Sequence, residues 1–281
     1  SVDGSSPIGP VYSEGVIPYL GTSAIIFSDS NSFNPTSAGI HILKIYSALS
    51  TDQYRQNDTV TLEVDVKQKI SSFPFVETFS NLSNWSVTYE YPVYETVLWE
   101  LGLCTNPTGE SSNIAATSNC YLGATGRREI LKSPPIDFSV GTNADGSNIP
   151  VLDFYVSYSG YSGLDDSLEV LLSTDNGNSF FNAAAVYSKS QTSDPSLATR
   201  PVQYTEFFPD SSIQWRHEQI SLENVAGDTN VIIGFRSKSD FGNRIWIDNI
   251  IVCVASSIAP TAVNSAGSYT FDDVTVQVTS V

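Results

Sequence analysis

The chain has 281 residues, 41% hydrophobic and 15% charged, a balance that supplies packable cores and excludes an intrinsically disordered chain. Thirty acidic residues against thirteen Lys and Arg give a formal net charge of −17. A field of that sign repels phosphate backbones and anionic headgroups, which excludes nucleic acid and membrane insertion or surface binding, and leaves divalent cations or plain solubility as its meaning.

In chain order, the opening SVDGSSPIGP lacks the basic and apolar regions of a signal peptide, so a mature or excised segment is expected. No apolar run approaches the roughly twenty residues of a membrane span. Residues 1–70 read as a first unit. GIHILKIYSAL sets His41, Leu43 and Ile45 against Ile42, Lys44 and Tyr46, and TVTLEVDVK alternates Val60, Leu62, Val64 and Val66 with polar partners. With a third strand at YLGTSAIIF (19–27), these predict a short immunoglobulin-like β-sandwich. Residues 70–72 are the expected hinge.

The second unit, 73–255, holds no convincing helix longer than two turns. Strand patterns recur at NWSVTYEY, REILKSPP, VLDFYVSYSG, SLEVLLST, AAAVYSK, RHEQISL, NVIIGFRSKS and RIWIDNIIVCV, punctuated by Gly, Asn, Asp and Pro turns. Their spacing predicts a two-sheet jelly roll, with Val231, Ile233 and Phe235 on one face. The predicted fold is therefore all-β: an immunoglobulin-like β-sandwich followed by a jelly-roll β-sandwich. Residues 256–281 change texture. Their APTA stretch reads as a linker and YTFDDVTVQV as one strand, which either pairs back onto a sheet or begins a following unit.

Of the three cysteines, Cys104 and Cys120 enclose a polar loop. A disulfide there is expected to stabilise by roughly 3 kcal/mol and implies an oxidising exterior. Cys253, in IIVCV, reads as a buried free thiol. The sequons at Asn57, Asn81 and Asn84 are too short a signal to weigh.

Five patterns in fixed order carry a resemblance: FPFVETFSN (73–81), LKSPPIDFS (131–139), DDSLEVLLSTDNGNSF (165–180), WRHEQISL (215–222) and IWIDNI (245–250). The second unit resembles the MAM-like jelly-roll modules of secreted bacterial proteins, a group that includes cleaved-adhesin and choice-of-anchor domains. The first resembles, more loosely, the interaction-type immunoglobulin-like repeats of cell-surface adhesins. The resemblance implies carriage on a large secreted surface protein, serving adhesion or as an accessory of a secreted hydrolase. The segment between Trp85 and Arg127 is long and aromatic and departs from the pattern. In the jelly rolls this unit resembles, one calcium commonly sits where the opening strand meets the closing one, and Glu77 and Asp248 occupy those places. A lone carboxylate between apolar neighbours is costly to bury without a cation or strong hydrogen bonds.

Other chemistry is sparse. DNGN (175–178) lacks the twelfth-position Glu of an EF-hand and reads as a type I′ turn. The two histidines, His41 and His217, fall in different units. Asp165 and Asp166 are adjacent on a strand and point to opposite faces, which argues against a glycosidase pair. No nucleophile elbow, zinc-protease or phosphate-loop motif is present. Tyr89, Tyr91, Tyr94 and Trp99, with Tyr158 and Tyr161 and neighbouring Tyr155, are candidates for a sugar-stacking platform, although core packing explains most aromatics in a sandwich. The expected function is a non-enzymatic adhesive or assembly segment of a secreted cell-surface protein, stabilised by calcium. Its partners would be neighbouring domains, copies of the same parent, or surface glycans. A carbohydrate-binding accessory module of a secreted hydrolase is the alternative.

Overall fold

A computed structural model describes residues 1–7, 37–47, 53–54, 56, 58–91, 98–141, 148–180 and 185–256. The strand expected at 19–27, the sequon at Asn57, Tyr94, and the linker and strand expected beyond 256 lie outside the described residues.

Strands β1 (Gly39–Tyr46) and β2 (Thr59–Val66) pair antiparallel, with Leu43 opposite Leu62 and Ile45 opposite Val60. That puts the two alternating apolar sets on one face. The N-terminal residues run beside β1, where Lys44 N donates to Ser1 O and Asp3 N to Ile42 O. Here the described residues show this two-stranded sheet, not the full immunoglobulin-like sandwich expected.

The second unit is a sandwich of two antiparallel sheets, with no α-helix among the described residues. Its strands in chain order are β3 (Phe75–Glu77), β4 (Ser86–Tyr91), β5 (Trp99–Cys104), β6 (Asn113–Asn119), β7 (Arg128–Lys132), β8 (Asn148–Tyr158), β9 (Ser167–Ser173), β10 (Tyr187–Ser190), β11 (Arg216–Ser221), β12 (Ile232–Lys238) and β13 (Arg244–Ser256). One sheet runs β11-β8-β13-β6-β5, with β3 also on β13; the other runs β10-β9-β12-β7-β4. The interleaving of early and late strands is the jelly-roll arrangement that the spacing predicts. The alternation decides which faces meet. Leu152, Phe154, Val156 and Tyr158 of β8, Ile245 and Ile247 of β13, and Val231, Ile233 and Phe235 at β12 all point into the common core. There Phe154 meets Phe235 and Tyr187 edge-on at 5.3 and 5.5 Å. Each such ring contributes about 1.5–3 kcal/mol by burial.

Three features fix the frame. At Ile70 the expected hinge is stitched to the sandwich, since Ile70 N donates to Pro135 O and Asp137 N to Ile70 O, both at 2.8 Å. Second, a buried Arg127–Glu129 ion pair at the start of β7 ties the two sheets, because the second Glu129 oxygen accepts the Leu98 amide (2.7 Å) where β5 begins. Third, Asp166 at the head of β9 is fully buried. Its carboxylate accepts Tyr158 Oη (3.0 Å) and the amides of Asp240, Gly242 and Asn243 (2.7, 3.2 and 2.6 Å). A Cβ on Gly242 would lie 2.2 Å from that carboxylate, so only glycine lets the β12–β13 loop close over it. Asp165 points the other way, to Thr192 N and Oγ1, as strand alternation requires. DNGN is a turn, with Asn176 and Gly177 both left-handed (φ 62° and 74°).

The expected disulfide does not form. β5 and β6 make a hairpin in which Cys104 stands opposite Asn113 and Trp99 opposite Ser118. Cys104 therefore sits at one end of the hairpin and Cys120 just beyond the other. Seven residues at about 3.3 Å each separate them by roughly 20 Å, whereas a disulfide needs Cα atoms within about 7 Å. All three thiols are free; Cys104 and Cys120 are buried, and Cys253 is half-buried. Burial pushes the Cys104 thiol up to about 12. Without that bond the three cysteines carry no sign of an oxidising compartment.

Two outcomes are expected. The melting temperature of the chain is the same with and without dithiothreitol; a drop on reduction would contradict the separation of the thiols. Asp166→Ala leaves three amides and a phenol without acceptors and costs about 3–5 kcal/mol in urea unfolding, far more than a surface Asp→Ala control.

Candidate functional site

Two places on the six-stranded sheet gather the polar and aromatic side chains a recognition module needs. The first is the bulge in β13. Up to Ile247 that strand pairs with β6, and from Ile250 with β3, where Ile250 stands opposite Glu77. Between them Asn249 adopts φ 49°, and the register against β8 shifts between Asp248 and Ile251. The bulge thus turns Asp248 into the gap where β6 and β3 part.

Asp248 is fully buried. It accepts the Asn249 amide (2.8 Å) and the Asn113 side-chain amide (3.0 Å). Burial pushes its carboxyl up to about 7, the nearby Glu77 carboxylate adds to the rise, and the two hydrogen bonds only partly oppose it. Glu77 spends its oxygens on Phe79 N (2.7 Å) and Trp85 Nε1 (2.9 Å), so it also anchors a core indole. The structure therefore brings the two predicted metal residues together. Among the described residues no group of three or more His, Cys, Asp or Glu is placed to hold a metal ion. A cation here would draw on two carboxylates and neutral oxygens, a donor set of the hard kind calcium takes.

The second place is the outer face of the same sheet, which divides into a covered and an open half. Over the covered half lies the segment before β11. Phe207 and Trp215 pack on Trp246, Ala115 and Cys104, and Phe208 meets Trp246 at 5.7 Å. Trp246 Nε1 donates to Phe207 O (3.0 Å) and Trp215 Nε1 to Thr105 O (2.7 Å). Gly102 makes room, since a Cβ there would lie 2.5 Å from the Trp246 ring.

The open half is formed by β8 and β11, whose register puts His217 opposite Tyr155 and Gln219 opposite Asp153. The Tyr155 and His217 rings lie 5.2 Å apart at 42°. Asp153 Oδ1 joins His217 Nε2 (2.8 Å) to Gln219 Nε2 (3.0 Å). Burial, with the Asp153 charge, holds the Tyr155 phenol above its usual range. His217 and Gln219 are exposed, and Tyr155 and Asp153 half-buried. The result is an array of two mutually inclined rings, a carboxylate and a carboxamide on one sheet face.

This is not the predicted platform. Trp99 (2% exposed) and Tyr158 (0%) are core residues, with Trp99 Nε1 on Glu129 O and Tyr158 on Asp166. Tyr89 is half-buried opposite Glu129, and Tyr91 ends β4 on the other sheet. Of the expected residues whose side chains are described, Tyr155 and Tyr161 are half-buried in aromatic pairs, Tyr155 beside His217 and Tyr161 meeting Tyr204 edge-on at 5.5 Å. Tyr155 belongs to the expected set, whereas its partners His217 and Gln219 do not follow from the sequence because they lie some sixty positions away; the available signal is the alternation of RHEQIS, which puts His217 and Gln219 on one face.

No protein-family model matches the chain, and no curated protein matches it. Solved structures do. The K1 cleaved adhesin domain of Lys-gingipain from Porphyromonas gingivalis W83 aligns at 17% identity over 66% of this chain and 99% of its own, with a TM-score of 0.45. The K3 cleaved adhesin domain of the same protein aligns at 19% over 64% and 98%, TM-score 0.42. A family 11 carbohydrate-binding module from Clostridium thermocellum, solved with a mixed-linked tetrasaccharide, aligns at 14% over 64% and 94%, TM-score 0.35. At such distances the function has to be read from this chain's own residues. Among the described residues, no helix is long and apolar enough to cross a membrane.

Because its folded carboxyl lies above the unfolded value, Asp248 contributes stability that is complete below about pH 3.8 and lost as pH rises through about 7. In chelator, unfolding free energy therefore falls across that window, by at most on the order of 4 kcal/mol from this group. Asp248→Asn flattens the slope; an equal slope in wild type and variant would assign the dependence to other groups.

Proposed function

We propose that this chain is a non-enzymatic recognition segment of a secreted cell-surface adhesive protein, and that it recognises glycans through the open half of the outer face. The observation that carries this reading is the Tyr155–His217 pair with Asp153 and Gln219 beside it. A sugar ring offers an apolar C–H face and a rim of hydroxyls. Aromatic rings on the sheet face suit the first, and the carboxylate and carboxamide beside them suit the second. The sheet holds all four side chains on neighbouring strands, so little order has to be gained on binding. His217 is occupied by Asp153, and His41 by Asp3 and the Ser37 carbonyl.

In the same reading calcium is structural. Asp248 and Glu77, with Asn113 and bulge carbonyls, would hold it between β3, β6 and β13, where it would neutralise Asp248, whose charging the Glu77 carboxylate opposes. The surface partners are glycans and neighbouring domains or copies of the parent protein.

A glycan array probed with the whole chain tests the first point. Sugars bound by wild type lose about ten-fold or more in affinity for Tyr155→Ala and His217→Ala, roughly 1.4 kcal/mol each, while both variants stay folded, the half-buried Tyr155 costing a few degrees of melting temperature and the exposed His217 little. Binding that survives both changes, or no glycan bound at all, would refute the assignment. For calcium, excess chelator is expected to lower the melting temperature, by mass action on the folded state. Restoration by calcium but not by magnesium is the accompanying result, and an unchanged transition would remove the metal from the account.

A further inference from the structure

We propose that residues 1–3 are a pH-operated latch on the outer edge of β1, held shut by the protonated ring of His41 and released as that ring loses its proton. Printed on the backbone, latch and edge form one unit. Val2 bridges Leu43 antiparallel. Ser1 O accepts the Lys44 amide (2.9 Å), the Ser1 amino group donates to Lys44 O (2.9 Å), and Asp3 N donates to Ile42 O (3.0 Å). Asp3 Oδ1 takes the remaining group, the Ile42 amide, at 2.7 Å. Both donors and both acceptors that Ile42 and Lys44 turn away from β2 are thus met by the latch. Bare, those four groups would be a free sheet edge, the feature on which a further strand pairs.

His41 fastens the latch from the side. It is buried on the apolar face of the sheet, with Nδ1 2.8 Å from Asp3 Oδ2 and Nε2 2.9 Å from Ser37 O. A carbonyl oxygen accepts and cannot donate, and the same holds for an ionised carboxylate. Both bonds therefore exist together when both ring nitrogens carry a proton, as in the imidazolium. The neutral ring has one N–H, so deprotonation leaves a lone pair facing a lone pair at one of the two contacts. The backbone is shaped for the Asp3 contact. Asp3 and Gly4 are both left-handed (φ 47° and 75°), and Ser5 N closes on Val2 O (2.8 Å), which turns the chain away just past the carboxylate. Asp is among the few residues that visit this conformation readily.

Around the ring, Asp3 supplies the facing charge from the latch. From β2, Val64 stands opposite His41, and alternation turns Glu63 and Asp65 to the other face, where Lys44 also lies. The Asp3 bond and then the Ser37 bond raise the His41 pKa above 6.5, while the Ile42 amide and then His41 lower that of Asp3 below 3.8. The stability that His41 lends the latch is complete below about pH 6.5 and lost as pH rises through the raised value. That lent by Asp3 is complete above about pH 3.8 and lost as pH falls through the lowered value. The latch is tightest between the two.

Amide exchange in the whole chain, followed residue by residue by NMR from about pH 5 to about pH 9 and divided by the intrinsic rate at each pH, tests the proposal. Protection of the Ile42 and Lys44 amides is expected to fall as pH rises, by at most about ten-fold per pH unit for release of one proton. Leu43 and Ile45, whose amides alternation turns toward β2, keep theirs. His41→Gln, with no titrating ring, is expected to give a low and flat profile. A flat profile in wild type, an equal fall in His41→Gln, or loss of protection at Leu43 and Ile45 in step with Ile42 would overturn the proposal, the last because the whole sheet would then be opening. Should His41→Gln fail to fold, the wild-type ring decides: two protonated nitrogens at about pH 6 support the latch, and one protonated nitrogen overturns it. Tyr155, His217 and Asp248 take no part in these outcomes, so the latch and the glycan reading stand or fall separately.

Discussion

Four neutral donors converge on the carboxylate of Asp166, which has no solvent exposure and no ion pair among the described residues. Burial raises its pKa, and the hydrogen bonds work against that rise. This balance orders more than one loop. Through Tyr158 it fixes the end of β8, through three amides it shapes the turn that launches β13, and by its own position it starts β9. Two neighbouring strands of the six-stranded sheet, β8 and the central β13, and one strand of the other, β9, are placed from a single group. Removing the charge would leave the donors behind, and that asymmetry gives the carboxylate its leverage.

The acidic excess is distributed by the same logic. Cations inside the sandwich are consumed by carboxylates in bridges across strands: Arg127 on Glu129, Lys189 and Arg216 on Glu218, Arg236 on Glu90 and Glu169, Arg244 on Glu100 and Glu206. Tyr187 adds its hydroxyl to Glu218 (3.2 Å), so one edge of the sandwich closes over a network linking β10 of one sheet to β11 of the other. What remains unneutralised is buried at Asp166 and Asp248 or exposed at the surface. Exposed charge is screened within about a Debye length, so its bearing on partners is short-ranged and depends on salt.

Alternation made most of the sandwich legible. NVIIGFRSKS became β12 with Val231, Ile233 and Phe235 inward, and VLDFYVSYSG became β8, because period-two patterning and burial on one side leave a single register. The β5–β6 hairpin was not legible. WELGLC and NIAATSN mix small and polar residues, and while Trp99 and Ala116 face the main core, the other face packs under Trp246 and its covering segment, a contact between positions more than a hundred residues apart. That also hid the fate of Cys104 and Cys120, whose loop spacing suits a bridge until pairing sends them to opposite ends. Of the candidate site, Glu77 and Asp248 could be placed through motif order, whereas Trp99 and Tyr158 could not be assigned to core or surface from composition alone. An aromatic ring serves either, and only the partner strand decides.

Strand β3 has three residues and pairs only with β13, Phe75 opposite Val252 and Glu77 opposite Ile250. The preceding hairpin and the following residues both leave from the Phe75–Val252 end of that pair. Tension drawn through the chain from either side therefore loads the pair at its open end and breaks its bonds one at a time, rather than shearing them together. Two backbone bonds at Ile70 stand ahead of β3 on that load path. Behind them, Glu77 holds the Trp85 indole and faces Asp248, so the last point to peel is also where opening strand, core and closing strand are joined. Pulled from its two ends, such a module yields first at its entry strand while the remaining strands of both sheets stay paired.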